Sequence, residues 1–260
     1  METKTKPRIN NISAVAIIFR KSDPSQVFIE MKDDGYPMAA FRRQLCFIGG
    51  NWIGENARSD TNPLMTARRE IEEELSFDHA VRSSEELALL GMVSEVIYDE
   101  AARSTREVTD EDRQLLERLK GEIREGLTPF GDFILTVERK VLDRADPKNS
   151  RDGFSGLCSY YLSPISEESW GHLSSLQQTF GNLSNESVTL ITSLGKIIET
   201  GTKTAFGHDQ ILQRFFLSRG LSEAENLPLV EGIASQSVGG PLSLYSEYLE
   251  QYDILKRPPI

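Results

Sequence analysis

Between Phe47 and Leu75 the sequence FIGGNWIGENARSDTNPLMTARREIEEEL demands a strand, a tight backbone and a helix in quick succession. An apolar run stops at the paired glycines Gly49 and Gly50, and after a polar spacer four carboxylates fall between Glu70 and Glu74, next to Arg68 and Arg69. The helix is expected from about Pro63 to Leu75. Asn62 is placed to cap it, and Pro63 sits at the first helical position, where a missing N–H costs nothing. At 100° per residue, with Glu70 at zero, Glu74 lies about 40° to one side and Glu73 about 60° to the other. Three carboxylates thus share one arc. Leu64, Ala67, Ile71 and Leu75 form the core-facing stripe about 100° away, and Glu72 points to the far side. Glu74 therefore borders the buried face.

Crowding three acids costs a few tenths of a kcal/mol per like-charge pair in water, and more when they are desolvated. A hard divalent cation offsets that cost well: Mg²⁺ prefers oxygen ligands and is commonly shared between one or two carboxylates and a substrate's phosphates. Arg69 can orient a carboxylate through a charge-assisted bond or touch a phosphate directly. Taken alone, REIEEE reads as an ordinary solvated helix face. The glycines shift the balance, because Gly49, Gly50 and then Gly54-Glu55 suggest a backbone bent so that main-chain groups and Glu55 approach the same site.

Together these residues resemble the signature of the Nudix hydrolases, in which Gly-x5-Glu leads into Arg-Glu-apolar-x-Glu-Glu-x-Gly-apolar. Gly49 and Glu55 match the first part; Arg69, Glu70, Ile71, Glu73, Glu74 and Phe77 match the second. The resemblance implies metal ligation by Glu70, Glu73 and Glu74, with Glu55 as an upstream acid and Arg69 orienting the carboxylates. It covers about thirty residues and departs from the pattern twice. Thirteen residues, Asn56 to Arg68, stand where the family has seven, an excess of six, and Ser76 replaces the last glycine. The extra ARSDTN is loop-like, and loop closure entropy grows slowly with length, so the helix can survive the insertion.

Around this stretch, strands are expected at Ile12 to Phe19 and Val27 to Met31, in QLCFIGG, and from Leu87 in LALLGMVSEVIY. From Asp99 to Gly131 the composition turns charged; Thr109 with Asp112 resembles a capping pair, and Leu116, Leu119 and Ile123 recur at helical spacing. This is an inserted helix with one apolar stripe. Strands follow at Phe133 to Val141, Phe154 to Leu162 and Val188 to Ile191, with helices at Glu167 to Gln178, near His208 to Leu217, and at Leu242 to Tyr252. The expected architecture is α/β: a Nudix-like α/β/α sandwich with a mixed sheet over 1–220, the inserted segment at about 99–131, and a C-terminal helical extension, 221–260, packing on it.

The chain has 260 residues, enough for one sizeable core. No apolar run approaches the roughly 20 residues of a membrane span, and the N-terminus lacks a secretory cleavage pattern, so a soluble, cytoplasmic protein is expected. A net charge of −11 argues against DNA, long RNA and anionic lipid as partners. Cys46 and Cys158 read as buried reduced thiols. The implied reaction is Mg²⁺-assisted hydrolysis (Mn²⁺ serving as an alternative ion) of a small diphosphate linked to another moiety, usually nucleoside. The proton acceptor would be one of the three glutamates or a residue from a later loop, with Glu186 and Glu199 as candidates. Arg42 and Arg43 stand where they could meet phosphates or simply solvate a strand edge, and Trp52 could stack on a base. Trp170 reads as core and His208 as a surface or capping residue. A catalytically silent Nudix-fold module that binds a nucleotide or a protein is the alternative, and isomerisation of an allylic diphosphate would need a catalytic cysteine, for which Cys46 is poorly placed. The inserted helix suits a lid, a satellite pack or a homodimer contact.

Overall fold

A β-branched run with no polar alternation must be covered on both faces, and in the computed structural model of the chain it is. The structure describes residues 11–52, 60–77, 90–99, 101, 106–145, 153–184 and 187–238. The elements are β1 (Asn11–Arg20), β2 (Gln26–Met31), β3 (Leu45–Cys46), β4 (Ile48–Asn51), α1 (Pro63–Glu74), α2 (Asp110–Glu125), β5 (Thr128–Val137), α3 (Arg139–Ala145), β6 (Phe154–Ile165), α4 (Glu167–Phe180), β7 (Val188–Ser193), α5 (Leu194–Thr200), α6 (His208–Ser218) and β8 (Ile233–Ser237).

All eight strands form one mixed sheet. β1 gives one edge to β6, in parallel over Asn11 to Arg20, and divides the other between β4 at its start and β2 at its end. β2 likewise runs antiparallel to β7 along its length and shares its remaining edge between β1 and β3. The run QLCFIGG is thus two short strands rather than one. It breaks at Phe47, where the chain leaves β2 and joins β1, and the break strands a backbone N–H that needs a partner.

Two apolar layers sandwich the sheet. One face, with Ala14, Ala16, Ile18 and Phe28, packs on Ala67 and Ile71 of α1, Leu116, Leu119 and Ile123 of α2, and Trp170, Leu173 and Leu176 of α4. The other, with Val15, Ile17 and Ile29, packs on Ile211, Leu212, Phe215 and Phe216 of α6. A mixed sheet with helices on both faces matches the expected α/β architecture, Trp170 is core as expected, and Cys46 and Cys158 are free and buried.

Four expectations need correction. Residues 90–93 form a helical turn, not part of a strand, because buried Leu90 and Val93 lie three apart while Met92 between them faces out. The strand set at Phe133 to Val141 starts earlier and ends at Val137, after which Glu138 leads into α3, which opens on the charged Arg139 and Lys140. The C-terminal extension expected as helical over 221–260 contains β8, which pairs with β5 and so extends the sheet itself. His208 is buried, not a surface residue. The N-terminal lead, Glu55, Glu186 and the helix expected at Leu242 to Tyr252 lie outside the described residues. Among the described residues no helix is long and apolar enough to cross a membrane.

Candidate functional site

The acidic helix begins where its caps require. The Asn62 side chain accepts from the Met65 N–H at 3.1 Å, with Pro63 in the first turn. Ala67 and Ile71 bury against β1 and its neighbours, which fixes the rotation of α1 and turns the Glu70–Glu74 edge toward β4. Glu72, on the far side, pairs with Arg124 at 2.7 Å and Lys120 at 3.4 Å, so α2 clamps the helix from outside.

Against β4 the reason for the paired glycine becomes physical. Gly49 has φ of 145°, and a Cβ there would lie 2.3 Å from the Ala14 carbonyl oxygen and 2.6 Å from Val15 Cα. Only glycine fits between β4 and β1 at that point. Gly50 is different: the nearest atoms a Cβ would meet are those of the Glu70 carboxyl, at 2.5 to 2.6 Å. Glu74, meanwhile, accepts from the Gly49 N–H at 3.3 Å. The helix carboxylates therefore close directly onto the glycine backbone, with Glu70 9% and Glu74 2% exposed.

Arg69 gathers the rest. Its Nη1 forms an ion pair with Glu70 at 2.7 Å and donates to Glu73 at 2.8 Å, its Nη2 donates to the Asn51 carbonyl at 3.2 Å, and its Nε to Asp60 at 2.9 Å. Burial works against the guanidinium's charge, but the bond to Asp60, the charge of Glu70 and the bond to Glu73 outweigh it and raise its pKa further. Glu73 is the carboxylate of the set that faces solvent, its side chain 43% exposed. Sequence reasoning missed Asp60; its signal was an acid inside the inserted ARSDTN, which looked like filler.

A second buried charge pair approaches from β2. Lys32 donates to Glu30, and Ser187 of the segment before β7 donates to the same carboxylate. Burial penalises the Lys32 ammonium, but Glu30 overrides that, with Cys46 and then Glu74 adding smaller contributions, and its pKa rises. On the opposite face His208 solves the problem at the strand break: its Nδ1 accepts from the Phe47 N–H at 3.2 Å while its ring stacks on Phe47. Burial, helped by the charge of Lys32, lowers its pKa to about 3, so it stays neutral.

The register adds Asp132 and Ser159. Gly50 of β4 opposes Ala14 of β1, Ala14 opposes Ser159 of β6, and Ser159 opposes Asp132 of β5. Opposed residues share a face, so both polar side chains lie on the face that Glu70 covers. Asp132 Oδ2 and Ser159 Oγ are buried without a hydrogen bond of good geometry. Burial raises the Asp132 pKa, and the neighbouring Ser159 hydroxyl pulls it partway back. A lone acid inside the apolar strand PFGDFILTV was the available signal.

The remaining candidates are placed as follows. Arg43 is bidentate to Asp34, at 2.7 Å twice, and with Lys32 lines a shallow pocket floored by Met31, Leu90 and Val188. Arg42 donates to the Tyr36 carbonyl at 2.7 Å. Trp52 is buried, with its indole N–H given to the Asp60 carbonyl at 2.7 Å. Glu199 is exposed on α5, 3.7 Å from Lys196.

The donor set at α1 suits a hard cation in kind: all oxygen, two carboxylates buried against backbone and one facing solvent. In the arrangement described, these carboxylates are held by Arg69 and the Gly49 N–H, and among the described residues no three acidic, histidine or cysteine side chains converge as a preformed metal site.

No protein-family model matches the chain, and a search of curated proteins finds no match. Among solved structures, the chain is similar to the crystal structure of a NUDIX hydrolase from Alicyclobacillus acidocaldarius, at 13% identity and a TM-score of 0.34, over 87% of this chain and 96% of that one.

Proposed function

We propose that the chain is a Nudix-type hydrolase that cleaves a small, nucleoside-linked diphosphate with the help of Mg²⁺ held by Glu70, Glu73 and Glu74. The observation that carries this reading is the contact between signature halves. Glu70 fills the space where a Cβ on Gly50 would stand, and Glu74 accepts from the Gly49 N–H, so the glycines and the acids that are separate in sequence are one constellation in space. A solvated helix face would not press its carboxylates onto a strand.

A bound Mg²⁺ would offset the negative charge of the diphosphate and lower the pKa of attacking water. The chain's own residues prepare for it. Arg69 keeps the Glu70 and Glu73 carboxylates oriented, the first by an ion pair and the second by a charge-assisted hydrogen bond. The Gly49 N–H orients Glu74, and the apolar packing of Ala67 and Ile71 holds the helix at a fixed distance from β4. Exposed Glu73 is the carboxylate best placed to meet a ligand arriving from solvent.

The silent binding module remains the second reading, favoured by the engagement of Glu70 and Glu73 with Arg69. Nucleotide or phosphate release, measured with Mg²⁺ across a panel of nucleoside diphosphate derivatives, separates the two. Glu74→Gln and Glu73→Gln are expected to lower kcat/KM by more than about 100-fold. Hydrolysis that is unchanged in both variants would remove these residues from the mechanism, and no hydrolysis by the unmodified chain would favour the silent module.

A further inference from the structure

We infer that Asp60, supplied by the inserted segment, is a positioning residue for the cation site, acting through Arg69; this rests on the reading of Glu70, Glu73 and Glu74 as ligands. Asp60 is 3% exposed although it is a carboxylate in a loop, and a buried carboxylate persists only where its bonds are made. Its side chain accepts from Arg69 Nε at 2.9 Å, and its main-chain carbonyl accepts from the Trp52 indole at 2.7 Å. Trp52 is fixed in turn, because its own N–H donates to the Ile12 carbonyl of β1 at 2.9 Å. An unbroken path of hydrogen bonds therefore runs from the central strand through Trp52 and Asp60 to Arg69, whose Nη1 ends it in a bond to Glu73 and an ion pair with Glu70. Asp60, which lies within the lengthened spacer, places a carboxylate on the Nε side of that arginine.

Two consequences follow for a divalent ion. Asp60 draws part of the guanidinium's charge away from Glu70 and Glu73, and it adds one negative charge to the cluster. Without it, Arg69 loses the partner of its Nε and, still held by Glu70, Glu73 and the Asn51 carbonyl, competes more fully with a cation for the two glutamates. Loss of Asp60 therefore weakens cation binding through both charge and placement.

The probe is Mn²⁺ itself, titrated into the full chain with free ion counted by electron paramagnetic resonance, and thermal melts in metal-free buffer checking the fold. Asp60→Asn, which keeps the side-chain shape, is expected to weaken Mn²⁺ binding by about 10–100-fold. In hydrolysis, the Mg²⁺ concentration for half-maximal rate should rise while the substrate KM at saturating Mg²⁺ stays near that of the parent, a split that general loosening of the fold does not produce. In an Arg69→Lys background, which lacks the Nε donor, the same substitution should cost markedly less. Mn²⁺ affinity unchanged by Asp60→Asn, or an equal loss in both backgrounds, overturns the role assigned to Asp60. Should Asp60→Asn not fold, Trp52→Phe removes the indole donor to the Asp60 carbonyl together with part of the buried ring, with thermal melts checking the packing: weaker Mn²⁺ binding in a chain that melts as the parent does supports the path, and unchanged binding overturns it. A parent chain that binds no Mn²⁺ overturns the ligand reading and this inference with it. A parent that binds Mn²⁺ through these residues but hydrolyses nothing overturns the proposed activity and leaves the role of Asp60 standing.

Discussion

Gly49 and Gly50 are adjacent and chemically identical, yet their neighbours make opposite demands on them. A Cβ at Gly49 strikes backbone of β1, which cannot yield without shifting a central strand, and φ of 145° adds strain. A Cβ at Gly50 strikes the end of one flexible side chain, Glu70. Gly49→Ala is therefore expected to cost about 1–3 kcal/mol of folding stability. Gly50→Ala should leave stability within about 1 kcal/mol of the parent while lowering kcat/KM on a diphosphate substrate by about 10–100-fold through displaced Glu70. Denaturant unfolding and steady-state kinetics on both variants check the contrast; equal behaviour of the pair would contradict it. The sequence showed that this spot needed glycine. It did not show that the two glycines serve different partners, because that depends on which residues oppose them across β1 and α1.

At the scale of single elements, local signals were reliable where the whole cause of an element lies within a few residues. Asn62 with Pro63, and Thr109 with Asp112, each set a helix start that the structure reproduces, the second as a full capping box. Asn62→Ala removes the bond to the Met65 N–H and is expected to cost about 1 kcal/mol, read as a lowered midpoint in chemical denaturation with an unchanged denaturant slope. The helix remains, because Ala67 and Ile71 hold it by burial. Elements were misread where the cause is non-local. The run QLCFIGG has the composition of one strand, and its division at Phe47 follows from two different partners claiming its halves. Ile233 to Ser237 lacks a strong strand pattern, with Ala234, Gln236 and Ser237 exposed, and becomes a strand because the free edge of β5 is there to receive it.

Across the whole molecule, the exchange of partners at Phe47 has a consequence for stability against acid. His208 on α6 meets the N–H left over by the break, and it does so as a neutral acceptor with its pKa lowered to about 3 from 6.5. Between those values the unfolded chain binds the proton and the folded chain does not, so stability rises with pH through that window and is lost as pH falls through it. The slope from this one group approaches about 1.4 kcal/mol per pH unit. The lowered carboxylates Asp112 and Glu167 act in the same direction from ordinary values of 3.8 and 4.5, whereas buried Asp132 and Asp209, raised by desolvation, act in the opposite one, so the histidine's share is the difference between the parent and a His208 variant from about pH 5 to 6.5. His208→Asn, which can still accept a hydrogen bond, should flatten the stability profile over that interval, as measured by urea unfolding at successive pH values. An unaltered slope would show that another group carries the titration. The sequence by itself determined the acidic arc of α1, its caps, the need for glycine before it and the alternation of strands and helices around it, because each is written in spacings of one to four residues. Only the tertiary structure decided that Glu70 lies on Gly50, that Asp60 from the insertion holds Arg69, and that a lone histidine belongs to the core. Those contacts join residues 9 to 161 positions apart, and their partners are chosen by the register of the sheet and the packing of helices on it, which no local pattern encodes.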